Sequence, residues 1–553
     1  MSALRSFGAL RALLLASAIL LFVDVGASTI WDANEAFYVE TPRQMVLTGD
    51  YVNPSFNGAP RFNKPVLNYW IVAGFYNVLG VSVTSERLAI AVGALMLVFA
   101  TFVIGRTLGG TNAGVAAALV LASAPRVMLW SRRIFIDIYF ASFLALALMC
   151  FVLAYAHPAR RRLALIGMYV AIGLAMLTKG PVAIILPGCA LVVWLLWTAG
   201  ASGANRIGAA WAEVRRMMVP VGILIVLAIV LPWYVADYQQ NGWEHIRKFF
   251  IGENFDRYTD TVGVQNRPVW FYIPVLLSDL TPWSLMLPAA LVCAWQSRRR
   301  DQRLMIVWIA VFAGVFSLSK TKQDLYIFPA ATAIAALIGV LIDRMLTATV
   351  PRVTSLLARG GTMLTAFLMV AFGALIIYVT KSVDLPGAAI AGGVLIVGGC
   401  VAFALSPRGS FATVVLTLGG SAVIVNWLLV LLVMRPFEQY KPVAPLSEWL
   451  RAHTAPTTVV AHYKTILPSM AYYLGRPYTE VFDLQTMLKL VDANAPLYVL
   501  LRPGDFNELR AATSAPMCVV DRRTLPLFDA KLKEVLSGNP PQIWLAAVNT
   551  PCQ

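Results

Sequence analysis

Apolar segments long enough to cross a bilayer recur along most of this chain, and this recurrence limits what the chain can fold into. A spanning helix needs about 20 apolar residues. Windows of that size lie at approximately 9–28, 86–106, 112–130, 135–156, 162–178, 180–199, 216–236, 270–295, 303–319, 323–342, 361–380, 384–405 and 411–434. We therefore predict an α-helical polytopic membrane protein with about 13 transmembrane helices.

The composition excludes a soluble, disordered or disulfide-dense chain. Hydrophobic residues make up 59% of the 553 residues and charged residues only 13%, whereas soluble domains average roughly 45–50% and about 25%. The net charge of +16 would favour a nucleic-acid partner in a soluble protein. Here much of the arginine lies in short loops between apolar segments, so no nucleic-acid partner is expected.

The charges of the short loops predict the orientation in the membrane. If the N-terminus is cytoplasmic, every second loop is cytoplasmic too, and these loops carry most of the arginine, as at 160–162 and 298–300. The alternate short loops carry far fewer cations. The positive-inside rule therefore places the N-terminus in the cytoplasm and, with an odd number of spans, the C-terminus outside.

Three stretches depart from the pattern of short loops. Residues 29–85 and 237–269 form long outer loops, and the first ends in an aromatic segment that reads as a helix in the membrane interface. After residue 434 no spanning segment follows. VVAHY, LYVLL, MCVVD and IWLAAV there read as strands, with helical stretches such as VAPLSEWLRAH between them. We predict a transmembrane domain over 1–434 and a small extracytoplasmic α/β domain over 435–553.

The six cysteines predict one disulfide and no zinc site. Four of them lie inside apolar runs and read as packing residues. Cys518 and Cys552 lie in the polar tail, on the predicted oxidising side, where a pair of cysteines usually forms a disulfide. No CxxC or His/Cys cluster is present, and no metal ligands are assigned.

Acids beside aromatic residues mark a candidate site. The first outer loop begins with Asp32, Glu35 and Glu40 among Trp31, Phe37 and Tyr38. This mixture favours a ligand pocket at the membrane boundary, and an ordinary solvated loop is the alternative. Asp137 lies at the outer edge of the fourth span, where an acid is costly and points to function. The alternative is a helix-end acid paired with Arg132 or Arg133.

Cations lie at the same outer boundary. They are Arg61, Lys64, Lys179, Lys320 and Lys322. Together they would form a cationic face suited to a phosphate group. Each alone is also consistent with a side chain that snorkels to lipid headgroups.

The order of motifs carries a resemblance to a known family. In sequence, residues 30–330 contain NEAFYVETPRQM with GDYV, FNGAPRFNKPVLNYW, the Asp137 segment, LTKGPVAIILP, LPWYVAD, FFIGENFDRY, PVWFYIPVLLSDLTPWSL and SLSKTKQDLYIFP. This order resembles that of the bacterial protein O-mannosyltransferase and aminoarabinose transferase superfamily, the GT-C membrane glycosyltransferases. The resemblance implies a bacterial inner-membrane enzyme that transfers a sugar from a polyprenyl-phosphate donor on the outer face.

The resemblance and the residue patterns together give the candidate site. The predicted catalytic residues are Asp137, Glu35 and Asp32. The predicted substrate-binding residues are Asn34, Tyr38, Arg43, Arg61, Lys64, Tyr69, Lys179, Lys320, Lys322 and Tyr326. The expected partners are the donor, a lipid or glycan acceptor and membrane lipids, with aminoarabinose and lipid A as the best guess, and the chain is expected to be a monomer.

Two departures from the family pattern bear on the chemistry. The family usually has Asp where this chain has Asn34, and an amide is neither a base nor a strong metal ligand. Asp32 is the better substitute if the loop is extended and Glu35 if a helix begins there, and we expect both within reach of the cavity. The family's outer-loop His before Pro-Trp is absent, since Gln265, Asn266 and Arg267 lie there. No cofactor is assigned, although the resemblance admits a divalent metal ion.

Two other classes of function remain as alternatives. A lipid or sugar transporter or flippase would favour acids and broken helices near the bilayer midplane, often in repeated halves. Here the middle of the spans is almost free of charge and no internal repeat is found. A non-catalytic scaffold or sensor is the third alternative, because of Asn34.

Overall fold

Helices account for most of the structure, and a small sheet lies near its carboxyl end. The computed structural model describes residues 3–32, 34–61, 63–133, 136–198, 206–256, 267–407, 409–524, 534 and 540–550. In these ranges helices α1 to α11 are Ala3–Leu20, Asn34–Thr48, Leu67–Leu79, Val83–Gly109, Thr111–Ala122, Pro125–Trp130, Ile136–Ala156, Arg161–Lys179, Val182–Thr198, Arg206–Arg216 and Val219–Arg247.

The second half of the helical part begins with a change in helix type. A π-helical stretch, Lys248–Asp256, continues directly from α11. The α-helices that follow are Tyr272–Asp279, Leu287–Ser297, Arg300–Leu318, Ala331–Thr347, Arg352–Val379, Pro386–Leu405, Phe411–Leu428 and Met434–Phe437. A two-stranded hairpin, β1 (Ser55–Phe56) and β2 (Ala59–Pro60), lies in the first outer loop.

Within the described ranges, nine helices are long and apolar enough to cross a membrane, and a bent pair makes a tenth. All thirteen windows predicted from the sequence overlap a helix, but several of these helices are short. The window at 112–130 divides into α5 and α6 because Ala124 precedes Pro125, and the residue before a proline disfavours helix. The window at 270–295 bends by 113° between Val269–Asp279 and Ser284–Ser297. The count of thirteen spans therefore stays a prediction.

Small residues let the central helices pack closely. A Cβ on Gly105 of α4 would lie 2.7 Å from the Ala117 Cβ of α5, and one on Gly339 would lie 2.5 Å from the Ala113 carbonyl oxygen. Such contacts, which only glycine permits, are typical of helix pairs in membranes. Helix α7 is connected to α4 by a hydrogen bond, since the Ser142 hydroxyl donates to the Gly93 carbonyl at 2.7 Å. The first turn of α7, which carries Asp137, is thereby held in place.

The sheet near the carboxyl end has five strands in the order β4-β3-β5-β7-β6. They are β3 (Val459–Tyr463), β4 (Thr479–Val481), β5 (Leu497–Leu501), β6 (Met517–Thr524) and β7 (Gln542–Val548). Strand β3 pairs in parallel with β4 and β5, and β7 pairs antiparallel with β5 and β6. The four segments predicted as strands coincide with β3, β5, β6 and β7, whereas β4 was not predicted.

Alternate residues of the strands face two apolar layers, as expected for a sheet covered on both faces. Val460, Leu500 and Leu545 pack with the helix Val443–His453 on one face. On the other face the core includes Val499, and two helices, Leu484–Asp492 and Pro503–Ala512, cover it. Met470–Leu474 is a further short helix between β3 and β4.

The segment that follows α1 is held by side chains from two distant parts of the chain. Arg87 of α4 is buried and donates to the carbonyl oxygens of Val25, Ser28 and Thr29. Glu438 accepts hydrogen bonds from the Ser28 and Thr29 side chains and from the Thr29 backbone N–H.

Residues around the sheet add three further contacts to the same segment. Lys441 Nζ donates to the Thr29 carbonyl at 2.6 Å. The Ile30 N–H donates to the Tyr473 hydroxyl at 2.6 Å, and the Ser469 N–H donates to Asp32 at 2.8 Å. The sheet and its helices are therefore connected directly to the loop that leads into α2.

One disulfide is expected in the folded protein, between Cys518 and Cys552. Cys518 is disulfide-bonded and Cys150, Cys189, Cys293 and Cys400 are free, while Cys552 lies outside the described residues. Alkylation of the unfolded, unreduced chain should label four cysteines by mass spectrometry, and reduction should raise this to six. Cys518→Ser should give five labelled cysteines without reduction, because it frees its partner. Six labelled cysteines in the unreduced wild type would exclude the bond.

Candidate active site

A cavity of about 620 Å³ lies where α2, α7, α8 and the start of α9 meet. The described residues that line it come from six parts of the chain. They are Asn34, Tyr38, Arg61, Asn63, Lys64, Ile136, Asp137, Phe140, Lys179, Pro181, Val182, Ile185, Leu186, Phe250, Glu253, Val315, Phe316, Ser319, Gln323, Leu325 and Tyr326. Seven of the thirteen predicted site residues are in this set: Asn34, Tyr38, Arg61, Lys64, Asp137, Lys179 and Tyr326.

The base of the cavity contains an ion pair between two packed helices. Asp137 lies in the first turn of α7, where the helix dipole favours an acid. Lys179 is the last residue of α8, and it donates a hydrogen bond to the Asp137 carboxylate. The Lys179 ammonium also lies 5.2 Å from the centre of the Phe140 ring and 5.1 Å from that of Tyr326. The alternative pairing of Asp137 with Arg132 is wrong, because Arg132 instead donates to Leu20 and Val23.

A second ion pair lies on the side of the cavity formed by the first outer loop. Lys64 Nζ donates to Glu253 Oε2 at 2.6 Å, and Asn63 Nδ2 donates to Glu253 Oε1 at 3.1 Å. Two consecutive residues therefore hold the two oxygens of one carboxylate. Glu253 lies in the π-helical stretch beyond Gly242, where the backbone of α11 turns with φ of 68°.

Arg61 is the third cation of the cavity and differs from the two lysines. Its guanidinium carbon lies 3.7 Å from the centre of the Phe37 ring, which orients the group by a cation–π contact. Its Nε is buried and has no hydrogen-bond partner among the described residues. A buried donor without a partner is costly, so this group is set to receive an acceptor from a ligand.

The aromatic residues of α2 and α3 form the wall behind the cations. Tyr38 lines the cavity and stacks on Tyr69 with ring centres 5.6 Å apart. Burial raises the pKa of both phenols, so both are neutral hydroxyl groups at physiological pH. Tyr69 is fully buried and does not line the cavity. Tyr69 therefore supports the ring of Tyr38, whereas the sequence analysis predicted that Tyr69 itself contacts the substrate.

The two acids predicted at the start of the first outer loop do not line the cavity. Helix α2 begins at Asn34, and successive residues of a helix point in different directions. Asn34 lines the cavity, so Glu35 points away and forms a buried 3.0 Å ion pair with Arg87. Asp32 accepts a hydrogen bond from the Ser469 backbone N–H instead. The expectation that both acids lie within reach of the cavity is therefore wrong.

Three predicted cations also lie elsewhere. Arg43 pairs with Glu40 within α2 at 2.7 Å. Lys322 is buried and donates to the Ser319 carbonyl, within its own loop. Lys320 does not line the cavity. The cationic face predicted from the sequence therefore consists of Arg61, Lys64 and Lys179.

Sequence reasoning missed several lining residues. Asn63 and Glu253 lie inside the segments FNGAPRFNKP and FFIGENFDRY, which were recognised as motifs but not assigned a role. Ser319 and Gln323 flank the two lysines that were chosen instead. These lining residues could have been predicted by taking every polar residue of each recognised motif as a candidate.

The donor atoms in the cavity do not fit a metal site. Among the residues that the structure describes, no three His, Cys, Asp or Glu side chains are grouped as metal ligands. The two carboxylates that line the cavity each accept from a lysine. A lysine ammonium in direct contact competes with a cation for the same oxygens, so we derive no chemical step through a metal ion.

Comparison with solved structures identifies a protein of similar fold. A crystal structure of ArnT from Cupriavidus metallidurans bound to undecaprenyl phosphate is similar over 98% of this chain and 97% of that one, with a TM-score of 0.79 and 21% identity. This chain has the same fold as that structure. The resemblance predicted from the motifs is confirmed, and the apolar helices of the described residues indicate a multi-pass membrane protein.

Sequence comparisons agree with the fold. The family described as dolichyl-phosphate-mannose-protein mannosyltransferase matches residues 63–235. Two undecaprenyl phosphate-α-4-amino-4-deoxy-L-arabinose arabinosyl transferases are similar, number 1 of Pseudomonas fluorescens Pf-5 at 28% identity and that of Pseudomonas aeruginosa LESB58 at 31%. The matches cover 61% and 59% of this chain and 60% and 58% of the relatives. The chain thus spans about three fifths of the length of these relatives.

The burial of Asp32 predicts a pH-dependent stability. Burial raises the pKa of this carboxyl from 3.8 to about 6. The folded state therefore holds the proton more tightly than the unfolded state, and stability falls as the pH rises between about 4 and 6. Asp32→Asn removes the cost of the buried charge and should raise the melting temperature at pH 8 but not at pH 4, measured by tryptophan fluorescence. The exposed control Asp492→Asn should change neither. Equal shifts of the Asp32 variant at both pH values would contradict the assignment.

Proposed function

We propose that this chain transfers a sugar from a polyprenyl-phosphate donor to a lipid acceptor at the periplasmic face of the inner membrane. The observation that carries the proposal is a cavity that has an apolar wall and is lined by Arg61, Lys64 and the ion pair of Lys179 with Asp137. The similar proteins support the substrate class, since their names specify undecaprenyl phosphate and 4-amino-4-deoxy-L-arabinose. Aminoarabinose and lipid A are accordingly the best candidates for the sugar and the acceptor.

The cavity suits a ligand with an apolar tail and an anionic head. Its apolar side includes Ile185 and Leu186 of α9 and Val315 and Phe316 of the helix Arg300–Leu318. Both helices belong to the apolar part of the chain, so a polyprenyl tail can remain in the bilayer while its phosphate reaches the cations. Asn34, Tyr38 and Tyr326 then lie on the polar side, where hydroxyl groups of a sugar need hydrogen-bond partners.

The transfer needs stabilisation of a leaving phosphate. The bond between the anomeric carbon and the phosphate oxygen breaks, and its electron pair stays on the phosphate, whose charge becomes more negative by one. An oxygen of the acceptor forms the new bond to the anomeric carbon. Cations fixed beside the departing oxygen lower this barrier, and Arg61 and Lys64 are placed for that role.

The role of Asp137 depends on the acceptor. If the acceptor is a hydroxyl group, its proton must pass to a base, and Asp137 is the carboxylate at the base of the cavity. If the acceptor is a phosphate group, no proton is released, and Asp137 instead orients Lys179 and the sugar. In both cases the Asp137–Lys179 pair is part of the machinery. Glu35 and Asp32 act indirectly, by holding the segment that leads to Asn34.

The side of the membrane follows from one connection. Residues 28–32 contact both Arg87 and the residues around the sheet, and α2 begins two residues later with Asn34 in the cavity. The cavity and the sheet therefore lie on one side. From the loop charges we propose that this is the periplasmic side and that the N-terminus is cytoplasmic. About 13 spans and a monomeric chain stay predictions. The transporter alternative is not favoured.

The transfer is tested with purified full-length protein and an undecaprenyl-phosphate sugar. Wild type should release undecaprenyl phosphate only with acceptor lipid present, and the mass of the acceptor should rise by one sugar. Asp137→Asn should cut the rate by at least about 100-fold, the scale of a lost general base or orienting contact, with an unchanged elution volume. EDTA should leave the rate unchanged. A chain that moves the donor across vesicles without releasing undecaprenyl phosphate is a transporter, and near-normal turnover of the variant removes Asp137 from the site.

Lys64 should act through its charge on the donor phosphate. Lys64→Ala should raise the KM for the donor, and Lys64→Arg should retain part of the donor affinity, since the charge remains but its geometry changes. Lys464→Ala is a matched control, because Lys464 pairs with Glu508 at 2.6 Å in the C-terminal region, outside the cavity. If both Lys64 variants behave like wild type, Lys64 is only a snorkelling cation.

A further inference from the structure

The Glu253 carboxylate occupies a position shaped for an anionic ligand. One of its oxygens accepts from the Asn63 amide and the other from the Lys64 ammonium, so two consecutive residues of the first outer loop bind both oxygens. A phosphate group presents oxygens at a similar spacing and accepts the same donors. Glu253 comes from a distant part of the chain, the π-helical stretch Lys248–Asp256.

The ion pair between Asp137 and Lys179 is built differently. Asp137 and Lys179 lie on α7 and α8, two full-length helices packed along each other. Glu253 instead follows a kink at Gly242, and its segment has π-helical rather than α-helical hydrogen bonds, a geometry that is rare and concentrates at functional sites. Of the two carboxylates, Glu253 is therefore the one carried by an irregular segment rather than by two packed α-helices.

We propose that Glu253 is a positioning residue that competes with the donor phosphate for Asn63 and Lys64. The proposal rests on the proposed function. An incoming phosphodiester binds Asn63 and Lys64 and displaces the Glu253 carboxylate. After transfer the carboxylate returns to Lys64 and so helps to expel polyprenyl phosphate. The displaced Glu253 carboxylate stays near the bound phosphate and repels it. Because the product carries one more negative charge than the donor, this repulsion weakens product binding more than donor binding.

Direct binding of undecaprenyl phosphate tests the proposal without any transfer step. The probe is undecaprenyl phosphate itself, titrated into full-length protein in detergent and followed by tryptophan fluorescence. Glu253→Gln keeps the shape and the contact with Asn63 but removes the charge. It should lower the Kd by about 10-fold, the scale of removing one competing charge from a cation. Glu253→Asp, which keeps the charge, should bind the probe with a Kd close to that of wild type.

Two controls separate this effect from others. Glu508→Gln breaks a lysine ion pair of the same 2.6 Å length in the C-terminal region and should leave the Kd unchanged. In a Lys64→Ala background, Glu253→Gln should tighten binding much less, because the competition acts through Lys64. In steady-state assays Glu253→Gln should lower the inhibition constant of undecaprenyl phosphate more than the KM of the donor, and it should lower kcat through slower product release.

The outcomes are distinguishable. An unchanged or weaker affinity of Glu253→Gln, in a variant that melts like wild type, overturns the role of Glu253 and leaves the proposed transferase intact. The same tightening with and without Lys64 also overturns it. Absence of undecaprenyl phosphate binding in wild type and in every variant overturns the proposed function, and this inference with it.

Discussion

The buried guanidinium of Arg87 holds together the part of the structure on which the site depends. Arg87 and Glu35 are both almost completely removed from solvent, and an unpaired charge there would be very costly. Arg87 avoids that cost by donating to three backbone carbonyls of residues 25–29 as well as to Glu35. It thereby fixes the end of the segment after α1 and the first turn of α2 relative to α4. Asn34 and Tyr38 reach the cavity from that turn.

The cavity itself is organised by charge balance. Among its described lining side chains, three are cationic and two are carboxylates, and each carboxylate accepts from a lysine. Arg61 remains, held over Phe37 with a buried Nε that has no partner in the described part of the chain. The surplus of one positive charge matches the single negative charge of a sugar phosphodiester. The phosphate that leaves in the proposed transfer carries one more negative charge and is attracted more strongly by the same cations. Its release therefore needs a competitor for those cations, the role proposed for Glu253.

The sequence predicts the elements better than it predicts the direction of side chains. Apolar windows locate the helices, short apolar runs locate β3 and β5, and the costly position of Asp137 at a span edge correctly places it in the cavity. Glu35 was misplaced because its partner Arg87 lies inside a span window, 52 residues away, where no local pattern indicates a buried ion pair. Glu253 was missed because its approach to Lys64 requires the turn at Gly242, and the loop around it showed no regular period.

The C-terminal region contributes no lining residue to the cavity among those described, yet its contacts affect the geometry of the cavity. Ser469 and Tyr473 bind Asp32 and Ile30, and Asn57 exchanges two hydrogen bonds with the backbone of Tyr478. These contacts hold the first outer loop at its start and at its hairpin, on either side of α2. Asn34 and Tyr38 lie between the two points, and Arg61 and Lys64 follow directly after the second. A shift of the sheet would therefore move the cations relative to Asp137, whose own position depends on α4 and α8. The C-terminal region therefore supports the geometry of the cavity, because its contacts affect the distance between the two halves of the site.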